Sequence, residues 1–439
     1  MNKYVAKGRI CLLVLGIGCL LPGVGQGFDN WPQWRGAEQN SVSREVNLPE
    51  SLNKSSLLWR SELPGPGGAS PVVWGDNLFV TTSDGDDLAL LCFSTAGELR
   101  WKRGLEGENV VTRMDNSNSA SPSPMTDGKH VWAMMTNGIM HCFTVDGELA
   151  WKKDMQEEYG QFQIQFGMAT TPVLDRGRLY FQLIHGAMRE KGTSVGWVIA
   201  LDSQTGAEIF KSERKTPATM ENKHAYTSPV VYRNGKTEFL VTLGGDYAIG
   251  HSLQDGAEIW RCGGINPEDG YNPFLRLVSS PVCRGDLIVI PSAKRGPVIG
   301  LQVDPNRLKG DVTNVKEVHR WRIKRGTPDV ATPVIDGDHV YFAREDGVFV
   351  CADSHTGDLQ YEERTLAGKH RGTPVVADGK IYVVGRDGKI VTLKTGAKCE
   401  VLCEFELGEQ TTASPAISNG RIYIRTSKGL YAFGKTAKP

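Results

Sequence analysis

Short apolar runs separated by turn residues fill most of the chain. From Thr332 the sequence reads TPVIDGDHVYFAREDGVFVCADSHTGDLQY, with apolar runs ended by Asp-Gly or Thr-Gly. Asp-Gly between apolar runs is a strong signal for a β-hairpin, because glycine supplies the positive φ that the turn requires. The pattern therefore predicts four short strands joined by tight turns, which is a four-stranded antiparallel meander.

The same unit recurs eight times along the chain. Each copy opens with a tag, defined here as a Ser or Thr followed by Pro and usually by β-branched residues. Sequence repetition at a period of about 50 residues indicates a repeat architecture built from one supersecondary unit. The prolines of the eight tags are Pro71, Pro124, Pro172, Pro229, Pro281, Pro333, Pro374 and Pro415.

Most copies also carry a large aromatic residue shortly after a turn glycine, in the predicted fourth strand. These aromatics are predicted to pack between neighbouring units and to hold them together. Trp31 and Trp34 lie outside the repeats and are expected to matter less to stability. The predicted docking aromatics are Trp59, Trp101, Trp151, Phe210, Trp260, Trp321 and Tyr361.

The two ends of the repeat array complement each other. The eighth copy gives only three strands before Phe433, whereas residues 57–62 resemble a fourth strand that lacks its first three. Closing a ring removes exposed sheet edges, which open arrays must otherwise protect. The prediction is an all-β fold: a single eight-bladed β-propeller of four-stranded antiparallel blades, closed by the N-terminal strand.

Composition narrows the classes of fold and function. The chain of 439 residues has 51 Gly and 22 Pro, which leaves little room for long helices. Its 50 Lys and Arg balance 50 Asp and Glu, so a broadly basic nucleic-acid binder is excluded. Neither CxxC nor His-x-x-x-His occurs, so no zinc site is predicted. A monomer is expected.

The N-terminus has the three-part pattern of a secretory signal peptide. A basic start precedes an apolar run over residues 10–21, and small residues follow. The predicted divisions are a signal peptide (1–27), an N-terminal extension (28–55), the propeller (56–434) and a tail (435–439). Lipid attachment at Cys19 is a minor alternative. The protein is therefore expected to be exported, periplasmic or extracellular, with no transmembrane segment.

The repeats resemble the quinoprotein-type, or PQQ-like, propeller repeat. Its docking motif reads approximately Ala-x-Asp-x-x-Thr-Gly-x-x-x-Trp. Residues 200–210 match it with Phe in the Trp place, and residues 351–361 match with Cys first and Tyr last. The stretch 31–36, WPQWRG, also resembles the start of exported members. The resemblance covers residues 57–433 and implies the fold more than the function.

Two branches of that family imply different functions. Quinoprotein alcohol dehydrogenases bind pyrroloquinoline quinone and calcium in the central funnel and carry adjacent cysteines; this chain has no Cys-Cys pair and is shorter. It resembles the non-catalytic, BamB-like branch more closely. No cofactor is therefore predicted, and no catalytic, cofactor-binding or metal-binding residue is assigned. Pyrroloquinoline quinone with calcium belongs to the dehydrogenase alternative, and a glycan-binding propeller is a further one.

The connections from each fourth strand to the next tag are the best candidates for a binding face. In a propeller they gather around the axis, and several are long for strand connections. We expect a protein partner or an anionic ligand there, although the same charges also suit an ordinary solvated face. The predicted function is an exported, non-catalytic binding or scaffolding module of the cell envelope. The candidate residues are Asn116, Gln163, Tyr226, Tyr271, Arg325, His370 and Arg371.

Overall fold

Eight antiparallel sheets follow one another around an axis. The computed structural model describes residues 1, 29–110, 118–190, 194–266, 270–294 and 296–435. Seven sheets have four strands, and the remaining one gains a short fifth strand. The predicted eight-bladed, all-β propeller is confirmed.

Blades 1 to 4 are simple meanders, apart from the short parallel strand β21 that is added to blade 4. Their strands are, for blade 1, β2 (Val72–Trp74), β3 (Asn77–Asp84), β4 (Asp87–Ser94) and β5 (Leu99–Leu105); for blade 2, β6 (Met125–Thr126), β7 (His130–Met134), β8 (Ile139–Thr144) and β9 (Leu149–Asp154); for blade 3, β10 (Val173–Asp175), β11 (Arg178–Leu183), β12 (Ser194–Asp202) and β13 (Glu208–Thr216); for blade 4, β14 (Val230–Asn234), β15 (Thr237–Gly244), β16 (Tyr247–His251), β17 (Glu258–Cys262) and β21 (Gly310–Asp311).

Blades 5 to 8 repeat the pattern, and helices are few and short. The strands are, for blade 5, β18 (Val282–Arg284), β19 (Leu287–Pro291), β20 (Val298–Gln302) and β22 (His319–Ile323); for blade 6, β23 (Val334–Asp336), β24 (His339–Ala343), β25 (Val348–Asp353) and β26 (Leu359–Arg364); for blade 7, β27 (Val375–Ala377), β28 (Lys380–Val384), β29 (Lys389–Lys394) and β30 (Val401–Glu406); for blade 8, β31 (Ala416–Ser418), β32 (Arg421–Arg425), β33 (Gly429–Gly434) and β1 (Leu57–Glu62). The helix α1 spans Met155–Tyr159, and 3-10 turns span Met220–Lys223 and Lys316–Val318.

The N-terminal strand closes the ring as predicted. Strand β1 pairs antiparallel with β33, with Arg60 opposite Tyr431 and Ser61 opposite Leu430. It is therefore the fourth strand of blade 8, although its sequence lies at the other end of the chain. This pairing leaves no blade with a missing outer strand.

The hydrophobic core lies between the blades. Val72 and Phe79 of blade 1 pack with Val131 of blade 2, and the remaining seams are filled in the same way. Each inner strand is covered on both faces by neighbouring blades, so its apolar residues run continuously rather than alternating.

Several docking aromatics anchor one blade to the next through a hydrogen bond. The indole nitrogens of Trp59, Trp101 and Trp321 donate to backbone carbonyls in the next blade, each at 2.9 Å. The acceptors lie between the third and fourth strands of that blade. A Cβ added at Gly97, in one of these turns, would lie 2.6 Å from the Trp59 ring, so the close approach requires glycine. Trp151 docks similarly, 3.0 Å from the carbonyl of Ser203.

Trp260, Phe210 and Tyr361 pack without that hydrogen bond. Trp260 is completely buried among residues of blades 4 and 5, and its indole nitrogen has no partner in the described part of the chain. Phe210 lies against Gly256 of the next blade, and Tyr361 stacks on Phe349 of its own blade. At these three positions the docking aromatic itself therefore contributes apolar contact, and hydrogen bonds from other residues, such as Tyr232 to the carbonyl of Gly285, cross the seams.

Candidate functional site

A closed ring of hydrogen bonds surrounds the axis at the level of the tags. The backbone N–H of Ser70 donates to the hydroxyl of Ser123 at 2.9 Å, and each later tag donates to the next one. The ring closes when Ser414 donates to Ser70 at 2.9 Å. The hydroxyls that accept these bonds belong, in order, to Ser123, Thr171, Ser228, Ser280, Thr332, Thr373, Ser414 and Ser70.

The tag therefore has a clear physical function. Its proline cannot donate a hydrogen bond, and its Ser or Thr supplies both the donor and the acceptor that join adjacent blades. All eight hydroxyl residues are buried. Because the ring holds every first strand at the same height, residues at equal distances from the tags form layers around the channel.

One such layer lines the open end of the channel, and we call it the wall ring. It consists of the residues two positions before each tag hydroxyl. Most members are small or apolar, while Arg371 alone among them is charged. The wall ring comprises Gly68, Ser121, Ala169, Tyr226, Val278, Val330, Arg371 and Thr412.

The other end of the channel is closed by residues 29–45, which we call the plug. Trp31 forms a bridge with Val73, three positions after a tag hydroxyl, and the backbone of Pro32 accepts from Thr126 at the equivalent position of blade 2. The plug therefore lies on the far side of the tag ring from the wall ring. Its partners in the blades include Val73, Thr126, Leu174, Val231, Pro281, Val376 and Asn419.

Trp34 forms the floor of the open channel, and the buried Arg35 packs against it. The Trp34 indole donates to the Ser414 hydroxyl at 3.2 Å, and Arg35 lies 4.5 Å over the Trp34 ring. Arg35 is buried and donates to the carbonyls of Pro281 and Pro229. Trp31 and Trp34 thus belong to the plug, whose residues contact several blades, and their smaller contribution to stability stays a prediction.

The channel opens into a cavity of about 370 Å³, which we call the mouth. Connections from all eight blades contribute to its lining, because each one passes the axis on its way to the next tag. Among the lining residues are Phe166, Tyr226, Arg276, Asp329, Glu345 and Arg371. A concave site of this size that mixes aromatic and charged groups suits a ligand or a segment of a partner.

The charged groups of the mouth are largely matched in pairs. Arg371 contacts Glu345 at 2.8 Å, and Arg276 contacts Glu221 at 2.9 Å. Arg276 also lies 5.0 Å over the ring of Phe166, an arrangement that favours a cation–π interaction. Burial raises the pKa of Asp329, although a hydrogen bond from the backbone of Lys294 acts in the opposite direction.

The mouth brings together only part of the predicted face. Tyr226 and Arg371 line it, while Gln163, Tyr271 and Arg325 lie outside its lining. Gln163 is exposed and its backbone bonds to Gly186, and Arg325 is exposed. The hydroxyl of Tyr271 donates to Asp246 at 2.7 Å, so this tyrosine joins a polar network of loops in blade 4.

Two further candidates have different positions. His370 is completely buried, and its Nε2 lies 3.0 Å from the hydroxyl of Thr365. Burial lowers the pKa of His370 to about 4, so the ring is neutral at pH 7 and lies where the connection from blade 6 meets Gly385 of blade 7. Asn116 lies outside the described residues.

Sequence reasoning missed several residues of the mouth. Glu345 and Arg386 come from turns between second and third strands, which the pattern indicated only as hairpins. The wall ring did have a signal, because its members share a fixed offset from the tags. Reading that offset across all eight copies would have identified Tyr226 and Arg371 together.

The described residues show no further chemistry of a specialised kind. The seven cysteines from Cys92 to Cys403 are free. Within the described ranges, no group of three or more His, Cys, Asp or Glu side chains is arranged to hold a metal ion. In the same residues no helix is long and apolar enough to cross a bilayer.

These features define a propeller of the PQQ-like repeat class, with an axial channel open on one face. A family model described as outer membrane protein assembly factor BamB matches residues 51–188 and 136–397. The two matches together span most of the chain, which therefore belongs to that family. A search of curated protein sequences found no significant match.

Solved structures with different functions share the fold. BamB from Moraxella catarrhalis aligns with a TM-score of 0.60 at 13% identity, over 87% of this chain and 98% of its own. Quinohemoprotein alcohol dehydrogenase from Comamonas testosteroni aligns with a TM-score of 0.68 at 13% identity, over 93% of this chain and 81% of its own. The computationally designed Ika8 protein aligns with a TM-score of 0.58 at 9% identity, over 90% of this chain and 99% of its own. At these identities the likeness shows the fold alone.

Proposed function

We propose that this protein is an exported, non-catalytic binding module of the cell envelope that holds a protein partner at its mouth. The observation that carries the proposal is the asymmetry of the channel. The plug closes one end, whereas all eight blades build the open one. The description of the family as an outer membrane protein assembly factor supports a protein as the partner.

The charges at the mouth favour binding over catalysis. Arg371 and Arg276 are engaged with Glu345 and Glu221, so they orient one another and present a fixed pattern to a partner. Fixed complementary charge gives specificity and speeds association. A partner segment with acidic and apolar residues matches this lining, since Phe166 and Tyr226 lie beside the arginines.

The dehydrogenase alternative fits the residues less well. A quinone supported by calcium needs several oxygen ligands around the ion, and carboxylates supply most of them in proteins. The described mouth presents Asp329 and Glu345, and no cluster of three potential ligands forms among the described residues. We therefore derive no reaction through such a group.

Site-specific photo-crosslinking tests the proposal. A photoreactive residue at Thr412, in the wall ring, should capture a discrete partner in intact cells, while the same residue at Glu404 on the outer strand β30 should not. Both positions lie on the same protein, so expression and export are matched. Equal adducts from the two positions, or none from Thr412, would contradict a partner at the mouth.

Two further measurements separate the remaining alternatives. Cell fractionation should place the protein outside the cytoplasm if residues 1–27 act as a signal peptide. Mixing the purified protein with calcium and pyrroloquinoline quinone should leave the free quinone spectrum unchanged. A bound-quinone spectrum with dye-linked alcohol oxidation would support the dehydrogenase alternative instead.

A further inference from the structure

Arg425 is a buried cation that the described chain leaves without any acceptor. It ends strand β32 in blade 8 and has 0% exposure. None of its three guanidinium nitrogens has a hydrogen-bond partner among the described residues. Buried charges in proteins are normally paired or hydrogen-bonded, because leaving them bare is costly. The position therefore calls for a partner that the described residues do not supply.

The other fully buried arginines have hydrogen-bond acceptors, although the Nε of Arg35 has none among the described residues. Arg214 donates to the hydroxyl of Thr242 at 2.9 Å and to the carbonyl of Tyr247 at 2.7 Å. Arg35 donates to two proline carbonyls. The bare guanidinium of Arg425 is thus specific to its position.

Arg425 lies directly behind the wall of the mouth. A Cβ placed on Gly67 would overlap the two terminal nitrogens of its guanidinium, and Gly67 itself lines the mouth. Thr411 also lines the mouth, and its hydroxyl donates to the carbonyl of Arg425 at 2.6 Å. The guanidinium therefore lies against the backbone of Gly67, which lines the cavity.

The segment that covers Arg425 is Gly-Pro-Gly-Gly, residues 65–68. Its flanks are held, because Thr82 and Ser83 donate to the carbonyls of Gly65 and Pro66, and Gly68 donates to Ala120. The peptide of Gly67 makes no hydrogen bond with any other described residue. Since glycine tolerates many backbone conformations, Gly67 can shift without losing a hydrogen bond.

We propose that the blade 8 to blade 1 side of the mouth is a subsite for one carboxylate group, which the guanidinium of Arg425 receives beside Gly67. Two parallel N–H donors match the two oxygens of a carboxylate. One charge is expected because Arg371 and Arg276 already have carboxylate partners, whereas Arg425 has no partner among the residues that the structure describes. The inference rests on the proposed function, since it specifies the chemistry of the group bound at that face.

Calorimetric titration of the full chain with acetate tests the subsite, with neutral acetamide of similar shape as the control ligand. We expect saturable binding of acetate alone. Arg425→Met removes the charge and Gly67→Ala fills the approach to it, so each should weaken acetate binding at least tenfold. Arg214→Met, an equally buried arginine, should leave acetate binding unchanged.

Thermal unfolding provides an independent readout. Arg425→Met should retain or raise the melting temperature because it removes an unpaired buried charge, whereas Arg214→Met should lower it by leaving Thr242 and Tyr247 without their donor. Should Arg425→Met fail to fold, Gly67→Ala decides the outcome. Absence of saturable acetate binding, or equal affinity in Gly67→Ala, would overturn the subsite.

The source of the carboxylate is distinguished by short peptides. Peptides with a free C-terminus, with an amidated C-terminus, and with an internal Glu show whether a chain end or a side chain binds. Failure of the carboxylate subsite can be told apart from failure of the proposed function. Crosslinking at Thr412 without acetate binding would remove the subsite alone, and acetate binding without crosslinking would remove the protein partner alone.

Discussion

At the residue scale, the tag hydroxyl of each blade joins that blade to its neighbour by a hydrogen bond. The Thr373 side chain accepts from the backbone of Thr332 at 3.1 Å, and its own N–H donates to Ser414 at 2.9 Å. In the closed ring of tag hydrogen bonds every N–H has one hydroxyl as its acceptor. Removing one hydroxyl therefore leaves a buried N–H unpaired. The residue type at the tag is therefore set by hydrogen bonding, and the methyl group of Thr is incidental.

Replacing Thr373 with Val should destabilise the protein by about 1 to 3 kcal/mol, because it leaves the N–H of Thr332 buried and unsatisfied at nearly constant volume. Thr373→Ser is the matched control, since it keeps the hydroxyl and should cost clearly less. Urea unfolding of both variants measures the difference. Equal losses would show that packing, rather than the hydrogen bond, determines the tag.

At the element scale, strand β1 has two structural functions. It completes blade 8 by pairing with β33, and its Trp59 docks on blade 1 through the carbonyl of Thr95 at 2.9 Å. The indole ring of Trp59 also packs against Tyr423 of blade 8, with the ring centroids 6.1 Å apart. One short strand thus connects both ends of the repeat array.

Trp59→Ala should lower the free energy of unfolding by about 2 to 4 kcal/mol, because it removes both the apolar contact and the indole hydrogen bond. Leu99→Ala is the control on the adjacent blade, since that side chain is 55% exposed and should cost less than about 0.5 kcal/mol. Calorimetry compares the two variants. A Trp59 variant as stable as the Leu99 variant would refute the anchoring function of β1.

At the scale of the whole molecule, buried histidines couple stability to pH. Burial lowers the pKa of His251 to about 3 and that of His370 to about 4. Above pH 6.5 both rings are neutral whether the chain is folded or not. Below it the unfolded chain takes up protons that the folded chain excludes, so stability falls as the pH drops toward the folded pKa values.

We therefore expect the free energy of unfolding to fall by about 2 kcal/mol for each of these histidines between pH 7 and pH 5. His251→Gln should flatten this dependence, whatever its effect on stability at pH 7. His355→Gln is the control, because that side chain is 65% exposed. Chemical denaturation at several pH values measures the slope. A slope that is unchanged in His251→Gln would contradict the assignment.

The sequence predicted the fold because the information was local and repeated. Asp-Gly turns such as the one at Asp336 and Gly337 define a hairpin within a few residues, and eight copies reveal the period. Closure followed from counting strands, since Leu57–Glu62 had no partners nearby.

The candidate site was harder to predict from the sequence, because its residues come together only in the folded chain. Arg425 resembles an ordinary strand end, and its position against Gly67, in the connection from β1 to β2, appears only in the folded chain. The plug carries no repeat, so its contacts with Leu174 and Val231 have no signal in the pattern. Tyr226 and Arg371 were predicted because they are an aromatic and a basic residue in the connections that lead to the tags.

The pairing of β1 with β33 also sets the order of events during biosynthesis. Strand β1 leaves the ribosome early, but its partner, around Tyr431, is among the last residues to be made. Until then blade 8 lacks its inner strands, and the hydroxyl of Ser70 has no donor from Ser414. The ring therefore cannot close before β33 is made, and until then β1 lacks its partner strand. Unpaired strand edges can pair with other chains, so ring closure also removes a site of aggregation.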